Sequence, residues 1–318
     1  MLATRNRKDE LRRAIRSCLM QSVPVEVIVR DDGSTDGTDE MVHAEFPTVN
    51  YARHPEPRGS IINRNDAVSA ARSPIIFSID DDAAFESPRT VEQTLREFDH
   101  PRVGIVAIPF VDVLLSPRVQ QSAPDGTTGP FILDTFRGCA AAWRKDLFLA
   151  LGGYRPVLKH MAEEPDLALR ALNAGYVVLA GRADAVHHYE SAARSRDAVF
   201  FQIARNGVLQ GWMNAPLLML LPHLTGSALA SLRAGVRLGR LGPMIHGVAR
   251  GFADVLLGRA ARRPVSRRAY FLTRWLRAHK PVALTVVEGR LPALMPLEQL
   301  ARSGAHVAGA AAVGVAVA

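Results

Sequence analysis

The chain has 318 residues, 48% of them hydrophobic, and carries a net charge of +8 at pH 7. A chain of this size buries a substantial core and suits one large domain, or a catalytic domain with a smaller appendage. Its two cysteines, Cys18 and Cys139, exclude a disulfide framework and stand in no metal-ligand spacing. The N-terminal residues MLATRNRKDE lack the apolar core of a signal peptide, and the apolar runs fall short of the roughly 20 residues that cross a bilayer. The composition therefore predicts a cytoplasmic protein without a membrane-spanning helix.

Basic residues are concentrated toward the C-terminus. Between Ala192 and Val287, fifteen Arg or Lys residues stand against two acids, Asp197 and Asp254. This asymmetry predicts contact with an acidic surface, such as anionic lipid at the inner face of a membrane or a phosphorylated acceptor. We expect no nucleic-acid partner, because aromatic residues are not regularly interleaved with these arginines.

Helical and strand patterns alternate in the first half of the chain. The predicted elements are, in order, a helix after Lys8, a strand at residues 25–29, a helix to about residue 46, a strand at 49–52, a helix at 61–71 and a strand at 74–79. This β-α-β-α-β order predicts a mostly parallel sheet with right-handed crossovers. Residues 103–143 are rich in strands and loops, and a helix at 163–174 precedes a strand at 176–179.

The chain is predicted to divide into three parts. Residues 1–205 form an α/β domain whose sheet is flanked by helices, and residues 206–281 form a basic helical region broken by prolines. Residues 282–318 are predicted to be a weakly structured tail. The fold class is therefore α/β with a C-terminal helical appendage.

Two acidic clusters directly follow two of the predicted buried strands. Asp31 and Asp32 open the phrase DDGSTDGT, where a carboxylate can accept hydrogen bonds from a base or a ribose. In open α/β sheets, ligands bind in the crevice outside the carboxyl ends of the strands. The alternative is a capped turn between strand and helix with solvated acids.

The second cluster, Asp80-Asp81-Asp82, is harder to explain structurally. Three adjacent carboxylates repel one another, and a strand end offers little compensation. A divalent cation removes that repulsion, and oxygen ligands suit Mg²⁺ or Mn²⁺, which also use substrate phosphates as ligands. A hydrated acidic loop remains the alternative.

Two further motifs carry ionisable side chains. In Glu163-Glu164-Pro165-Asp166, the helix dipole and Arg170 account for Asp166. They leave the doubled glutamate unexplained, so one of the pair is a candidate general base. His188 follows a predicted strand and is either a metal ligand or a structural histidine.

Taken together and in this order, these residues resemble the family 2 glycosyltransferases, from about Ala3 to Asn206. The resemblance implies a Rossmann-like domain of the GT-A type. It implies that the nucleotide sugar contacts Thr4, Asp31, Asp32, Arg58, Arg64, Asn65, Asp80 and Asp81. The metal would be held by Asp82 and His188, and the base would be Glu164 or its neighbour Glu163. The acceptor side would include Gly138, Asp166, Gln202 and Arg205.

Two positions depart from the family pattern. The second glutamate of the pair stands where the family usually has aspartate, and the phrase QIARN at residues 202–206 ends in asparagine instead of the tryptophan of processive members. The resemblance therefore implies no processive activity.

The function implied by the resemblance is inverting transfer of a sugar from a nucleotide-diphosphate sugar, with Mn²⁺ or Mg²⁺, to a glycan or lipid-linked hydroxyl. Its usual setting is cell-envelope or exopolysaccharide synthesis, with peripheral contact to an anionic membrane. The alternative is a catalytically silent relative that binds nucleotide or serves as a scaffold. A sugar nucleotidylyltransferase would need a glycine-rich phosphate loop near the N-terminus, and a glycoside hydrolase would not need the aspartate triad.

Overall fold

The computed structural model describes residues 1–189 and 196–302. The helices are α1 (Lys8–Leu19), α2 (Thr38–Glu45), α3 (Ser60–Ala70), α4 (Thr90–Arg96), α5 (Lys145–Ala150), α6 (Glu163–Asn173), α7 (Arg196–Asn214), α8 (Leu217–Leu238), α9 (Leu241–Leu256), α10 (Arg267–His279) and α11 (Leu284–Val287). The strands are β1 (Leu2–Thr4), β2 (Ile28–Asp31), β3 (Asn50–Arg53), β4 (Ile75–Ile79), β5 (Ala83–Phe85), β6 (Val103–Ala107), β7 (Phe110–Asp112), β8 (Ser116–Gln120), β9 (Phe131–Leu133), β10 (Ala140–Arg144), β11 (Val177–Ala180), β12 (Val186–His188) and β13 (Val282–Ala283).

The α/β class and the order of the first elements are confirmed, but the sheet is more mixed than predicted. Strands β1, β2 and β3 pair in parallel, whereas the six-stranded sheet in the order β13-β9-β11-β6-β10-β4 is mostly antiparallel. The backbone of Met1 joins the two sheets, since its amino group donates to the Phe77 carbonyl at 2.6 Å. Strands β9 and β10 run antiparallel to their neighbours in the sheet, because no helical crossover connection precedes either strand.

Both faces of the six-stranded sheet are covered. Along β10, Ala140 and Ala142 belong to one apolar cluster, while Ala141 and Trp143 belong to the other. Because successive side chains of a strand point to opposite faces, the two clusters lie on opposite sides of the sheet. The sheet is therefore packed on both faces, and the side chains at its strand ends are attached to a buried framework.

A third sheet, in the order β5-β12-β7-β8, lies just beyond the end of β4. In its register His188 of β12 is opposite Ala83 of β5 and opposite Asp112 of β7. Since β5 begins one residue after Asp82, this sheet carries His188 back to the acidic cluster that follows β4.

An apolar cavity of about 310 Å³ lies beside the start of β4. Its walls include Val25, Val27, Ile75 and Phe77. None of the predicted site residues lines this cavity, so it is separate from the acidic cluster.

Helices α7, α8 and α9 pack on one another in the C-terminal part of the chain. Glycines of α9 permit this packing, since a Cβ on Gly247 would lie 2.4 Å from the Phe201 carbonyl oxygen of α7. Within the described residues, α8 is long and apolar enough to cross a membrane by length and composition alone. The lengths of the apolar runs in the sequence did not identify this helix as a candidate membrane span.

The predicted tail begins too early. Val282 of β13 pairs with Ile132 of β9, and Leu284, Val287 and Leu291 are buried. These apolar side chains complete one of the two core clusters, which stabilises the segment. Residues 303–318 of the predicted tail lie outside the described residues, and the division into domains stays a prediction.

Candidate active site

The turn after β4 and the end of β12 bring together Asp80, Asp82 and His188. Each offers one ligand atom, and the three atoms lie within 4.8 Å of one another. Nε2 of His188 lies 3.3 Å from Oδ1 of Asp82, and both side chains are buried. Two carboxylates with one imidazole form a donor set that fits a divalent ion such as Mn²⁺ or Mg²⁺. The structure thus juxtaposes the two predicted metal ligands, and Asp80 joins them.

Asp112 sets the orientation of the His188 ring. Its Oδ1 lies 2.6 Å from Nδ1 of His188, and its Oδ2 accepts a hydrogen bond from Gln120 at 2.8 Å. Burial alone would lower the pKa of His188, but the bonds with Asp82 and Asp112 outweigh it and raise that pKa to about 9. A carboxylate on Nδ1 leaves Nε2 pointing at the cluster, as in carboxylate–histidine–metal arrangements. Sequence reasoning missed Asp112 because only the β7–β12 register reveals this contact.

We expect Asp112→Ala to weaken the binding of Mn²⁺ by about 10–100-fold, because the ring of His188 loses the partner that fixes it. Titration of Mn²⁺ followed by electron paramagnetic resonance measures this affinity without any reaction. Asp125→Asn, in an exposed loop, is the control. Equal Mn²⁺ affinity in Asp112→Ala and the unsubstituted protein would remove the orienting role.

The middle carboxylate, Asp81, turns away from the cluster. It accepts hydrogen bonds from Oγ1 of Thr4 and from Arg7, both at 2.8 Å, and Arg7 also bonds Asp82 at 2.9 Å. Burial raises the pKa of Asp81 to about 6, against the opposing charge of Arg7. Thr4, predicted to contact the donor, is therefore engaged with Asp81. Arg7 was missed, since a basic residue after the first strand carries no distinctive pattern.

The paired glutamates open α6 beside the same cluster. Arg64 spans the two groups, donating to Asp80 at 2.5 Å and to Glu163 at 3.2 Å. Oε1 of Glu164 accepts the backbone N–H of Gly138 at 3.2 Å. Burial and the neighbouring Glu163 raise the pKa of Glu164 to about 7, although Arg64 opposes the shift. A carboxylate that titrates near neutrality is suited to accept a proton.

Gly138 is required by the position of Glu164. A Cβ at residue 138 would lie 2.8 Å from Oε1 of Glu164 and 3.1 Å from a nitrogen of Arg64. Any side chain would therefore displace one of these groups. This predicted acceptor-side glycine lies beside the candidate base.

The predicted nucleotide-binding acids are buried instead of solvated. Asp31 accepts hydrogen bonds from the N–H and the hydroxyl of Ser34 and from the hydroxyl of Tyr51, at 2.6–2.8 Å. Asp32 accepts from the N–H groups of Arg58 and Gly59. These bonds hold the turn after β2 and the loop before α3, and contact of Asp31 or Asp32 with a base or ribose stays a prediction.

Two predicted donor contacts lie on the α3 side. The Arg58 side chain is half exposed and faces Asp66 at 3.6 Å. Asn65 donates to the Tyr154 carbonyl at 2.8 Å and accepts the Tyr154 N–H at 3.0 Å. Both ends of the Asn65 amide therefore hold the backbone of Tyr154, and contact of Asn65 with the donor stays a prediction.

Two predicted acceptor-side residues form buried ion pairs. Asp166 is fully buried and accepts from Arg155, Arg170 and Asn214 at 2.8–3.0 Å. It lies three residues beyond Glu163 on α6, on the inward face of the helix. Arg205 is likewise buried and donates to Asp254 at 2.7 Å. The acceptor roles of Asp166 and Arg205 stay predictions.

Gln202 is the one member of the predicted acceptor set on α7 that keeps a polar atom available. Its side-chain oxygen is buried and has no hydrogen-bond partner among residues 1–189 and 196–302. The acceptor role of Gln202 stays a prediction.

Asn206, the last residue of the phrase QIARN, holds the loop that leads into the paired glutamates. Its amide donates to the carbonyls of Leu158, His160 and Met161, each at 2.8 Å. In this loop Met161 and Ala162 have φ of 68° and 71°. These values lie in the left-handed region, which is unfavourable for residues other than glycine. Asn206 therefore stabilises a strained segment that lies directly before Glu163 and the candidate base Glu164.

We expect Asn206→Ala to lower both stability and any activity that depends on Glu164. Three carbonyls would lose their donor, and a buried unpaired polar group costs about 1–3 kcal/mol. The midpoint of urea unfolding measures the first effect and substrate turnover the second. Asn173→Ala, at the C-terminal end of α6, is the control; this half-buried side chain accepts the Ser266 N–H, and its loss should leave turnover near normal. Normal stability and turnover in Asn206→Ala would contradict the positioning role.

Comparisons with known proteins agree with this geometry. The sequence model "Glycosyl transferase family 2" matches residues 1–148. A succinoglycan biosynthesis protein, ExoU of Rhizobium meliloti (strain 1021), is 34% identical over 88 residues, which span 27% of this chain and 26% of that relative. The aligned region is thus about a quarter of the relative's length.

Solved structures share the fold over most of the chain. A mannosyltransferase from Pyrobaculum calidifontis, in complex with GDP-Man and Mn²⁺, superposes with a TM-score of 0.56 at 20% identity, covering 98% of this chain and 84% of that one. S. aureus TarS 1–349 in complex with UDP-GlcNAc gives 0.56 at 17% identity, covering 87% and 86%.

The fold and the acid-lined strand ends define a GT-A type domain. Over residues 1–148 the chain matches glycosyl transferase family 2, the family that its motifs resemble.

Proposed function

We propose that this protein transfers a sugar from a nucleotide-diphosphate sugar to a hydroxyl group, with inversion at the anomeric carbon. The observation that carries the proposal is the arrangement around Arg64. Arg64 donates to Asp80 of the cluster formed by Asp80, Asp82 and His188, and also to Glu163, the chain neighbour of the half-buried Glu164. A site for a cation and diphosphate thus adjoins a carboxylate able to take a proton.

The electrostatics of the site favour this assignment. Asp80, Asp82 and Glu163 are partly compensated by Arg7 and Arg64. When bound, a divalent ion at Asp82 and His188 supplies positive charge to the donor's diphosphate. Arg64 is placed to contact the same diphosphate, and preorganised charge of this kind stabilises a leaving group without reorganisation.

Glu164 performs the proton transfer in this proposal. Its carboxylate accepts the proton of the acceptor hydroxyl while that oxygen forms a bond to the anomeric carbon. The bond from this carbon to the diphosphate oxygen breaks, and the nucleoside diphosphate leaves with the electron pair. One displacement by one nucleophile inverts the configuration. The raised pKa of Glu164 suits a base that is regenerated near neutral pH.

The similar proteins support a setting in polysaccharide synthesis. ExoU is a succinoglycan biosynthesis protein, and the two structures of similar fold are complexes with GDP-Man and Mn²⁺ and with UDP-GlcNAc. We propose a glycan or lipid-linked acceptor, with the protein at the inner face of the membrane as a peripheral protein.

The proposal is tested by incubating the full chain with UDP-, dTDP- and GDP-sugars, Mn²⁺ and a lipid extract as acceptor source. Expected is release of one nucleoside diphosphate and, by proton NMR, a product with the opposite anomeric configuration to the donor. A product that retains the donor's configuration would refute the single displacement. Donor binding without transfer or hydrolysis would instead identify a catalytically silent relative.

A further inference from the structure

The outer side of α8 is an unpartnered apolar face. Leu218, Leu221, Leu229 and Val236 are 64%, 71%, 51% and 70% exposed. At 100° per residue these four positions fall within about 80° of one another around the helix axis, so they form one stripe. The stripe extends over most of the length of α8. Apolar stripes of this extent mark interaction surfaces on soluble domains.

The opposite side of α8 is fixed to the rest of the domain. Cβ atoms on Gly207 and Gly211 of α7 would meet Ser227 and His223 of α8 at 2.5 and 3.0 Å. The ring of His223 also lies 2.9 Å from the hydroxyl of Tyr270 on α10. These contacts tie α8 along its length, so a spanning orientation would break them. The helix is therefore placed to lie along a surface.

Helix α9 continues this face. It follows α8 after a two-residue turn and packs on α7 through Gly247 and Gly251. On its far side Leu241, Ile245 and Leu256 are exposed, and their spacing places them on one stripe. Because both helices pack their glycine-contacting sides against α7, the two apolar stripes face away from it together.

The charge of this face selects its partner. From Ala198 to Ala253 the sequence holds no Asp or Glu, whereas Arg233 and Arg237 are exposed beside the α8 stripe. Helices with leucines on one face and arginines at its edges lie in the interface of anionic bilayers, with the guanidinium groups at the headgroups. A symmetric dimer through this face would bring the arginines of two copies together without acids to neutralise them.

We propose that the outer face of α8 and α9 binds the surface of an anionic lipid bilayer, with Leu218 and Leu221 among the side chains that enter the acyl boundary. The inference extends the proposed function, because it gives a lipid-linked acceptor a defined side from which to approach. Its test does not depend on catalysis.

The test is co-sedimentation of the full chain with phosphatidylcholine vesicles that contain or lack phosphatidylglycerol, at about 0.15 M salt. Binding is expected only with phosphatidylglycerol. The double variant Leu218→Gln and Leu221→Gln should lower the affinity at least about tenfold, since burial of each leucine is lost. Arg233→Gln with Arg237→Gln should lower it also, and more so as salt is raised.

The matched control is Leu19→Gln with Met20→Gln, at the end of α1, where the two side chains are 46% and 65% exposed. This variant should bind vesicles as the unsubstituted protein does. Equal vesicle binding by the α8 variant would overturn the proposal. Absence of binding together with a dimer that the α8 variant dissociates in gel filtration would overturn it in favour of a second copy. Nucleotide-dependent stabilisation, measured on the same variants, reports on the proposed function separately.

Discussion

Glu164→Gln is expected to lower the rate of sugar transfer by about 10²–10⁴-fold, the usual contribution of a general base. The amide keeps the size of the side chain and can still accept the Gly138 N–H, but it cannot take a proton from the acceptor. Donor binding should be unchanged, because Glu164 is not one of the three side chains that form the cation cluster. Steady-state turnover and donor affinity measured on the same preparation separate the two effects.

The pH dependence of transfer provides a second test of Glu164 as the general base. Only the deprotonated carboxylate is a base, and the pKa of Glu164 is raised to about 7. The ratio kcat/KM should therefore rise with pH through about 7 and then level off. Glu163→Gln is the control, since Glu163 is paired with Arg64. Near-normal turnover in Glu164→Gln, or a larger loss in Glu163→Gln, would reassign the base.

Asp82→Asn is expected to have the other large effect, on cation binding. Loss of a direct ligand should cost at least as much as loss of an orienting partner, which is about 10–100-fold in metal affinity. Asp82 is fully buried and lies within 4.8 Å of the ligand atoms of Asp80 and His188. Calorimetric titration with Mn²⁺ measures the loss, and nucleotide binding should weaken with it.

The neighbouring aspartate gives a matched control. Asp81→Asn removes the same charge one residue away, but Asp81 is bound to Thr4 and Arg7 and turns from the cluster. Its effect on Mn²⁺ affinity should be much smaller than that of Asp82→Asn. Equal losses in the two variants would mean that the triad acts only through its total charge.

The meeting of the acidic triad and His188 could be predicted from sequence because it depends on strand ends. Asp80 and Asp82 directly follow a buried strand and His188 closes another, and ligands bind outside such ends. The turn chemistry after β2 was also readable, since Asp31 accepts hydrogen bonds from the N–H and the hydroxyl of Ser34 in that turn. Its burial was not, because Tyr51 reaches Asp31 only through the β2–β3 pairing.

The contacts that could not be predicted are those between side chains that are distant in sequence. The pairing of Arg205 with Asp254, 49 residues away, could not be predicted from the sequence. The pairing of Asp166 with Arg170 could be predicted from their helical spacing, whereas the contact of Asp166 with Arg155 depends on the tertiary fold. The contact of Asp112 with His188 could not be predicted for the same reason, since only the parallel pairing of β7 with β12 places the two residues side by side.

The measurement that most directly tests the central claim is the melting temperature of the full chain with UDP, dTDP or GDP, each with Mn²⁺ or with EDTA. A ligand that binds only the folded state stabilises it by about 2.7 kcal/mol at a hundred times its Kd. We predict that one nucleotide raises the melting temperature in Mn²⁺, that EDTA abolishes the rise, and that Asp82→Asn does so too. A melting temperature unmoved by all three nucleotides at saturating Mn²⁺ would contradict a metal-dependent nucleotide-sugar site.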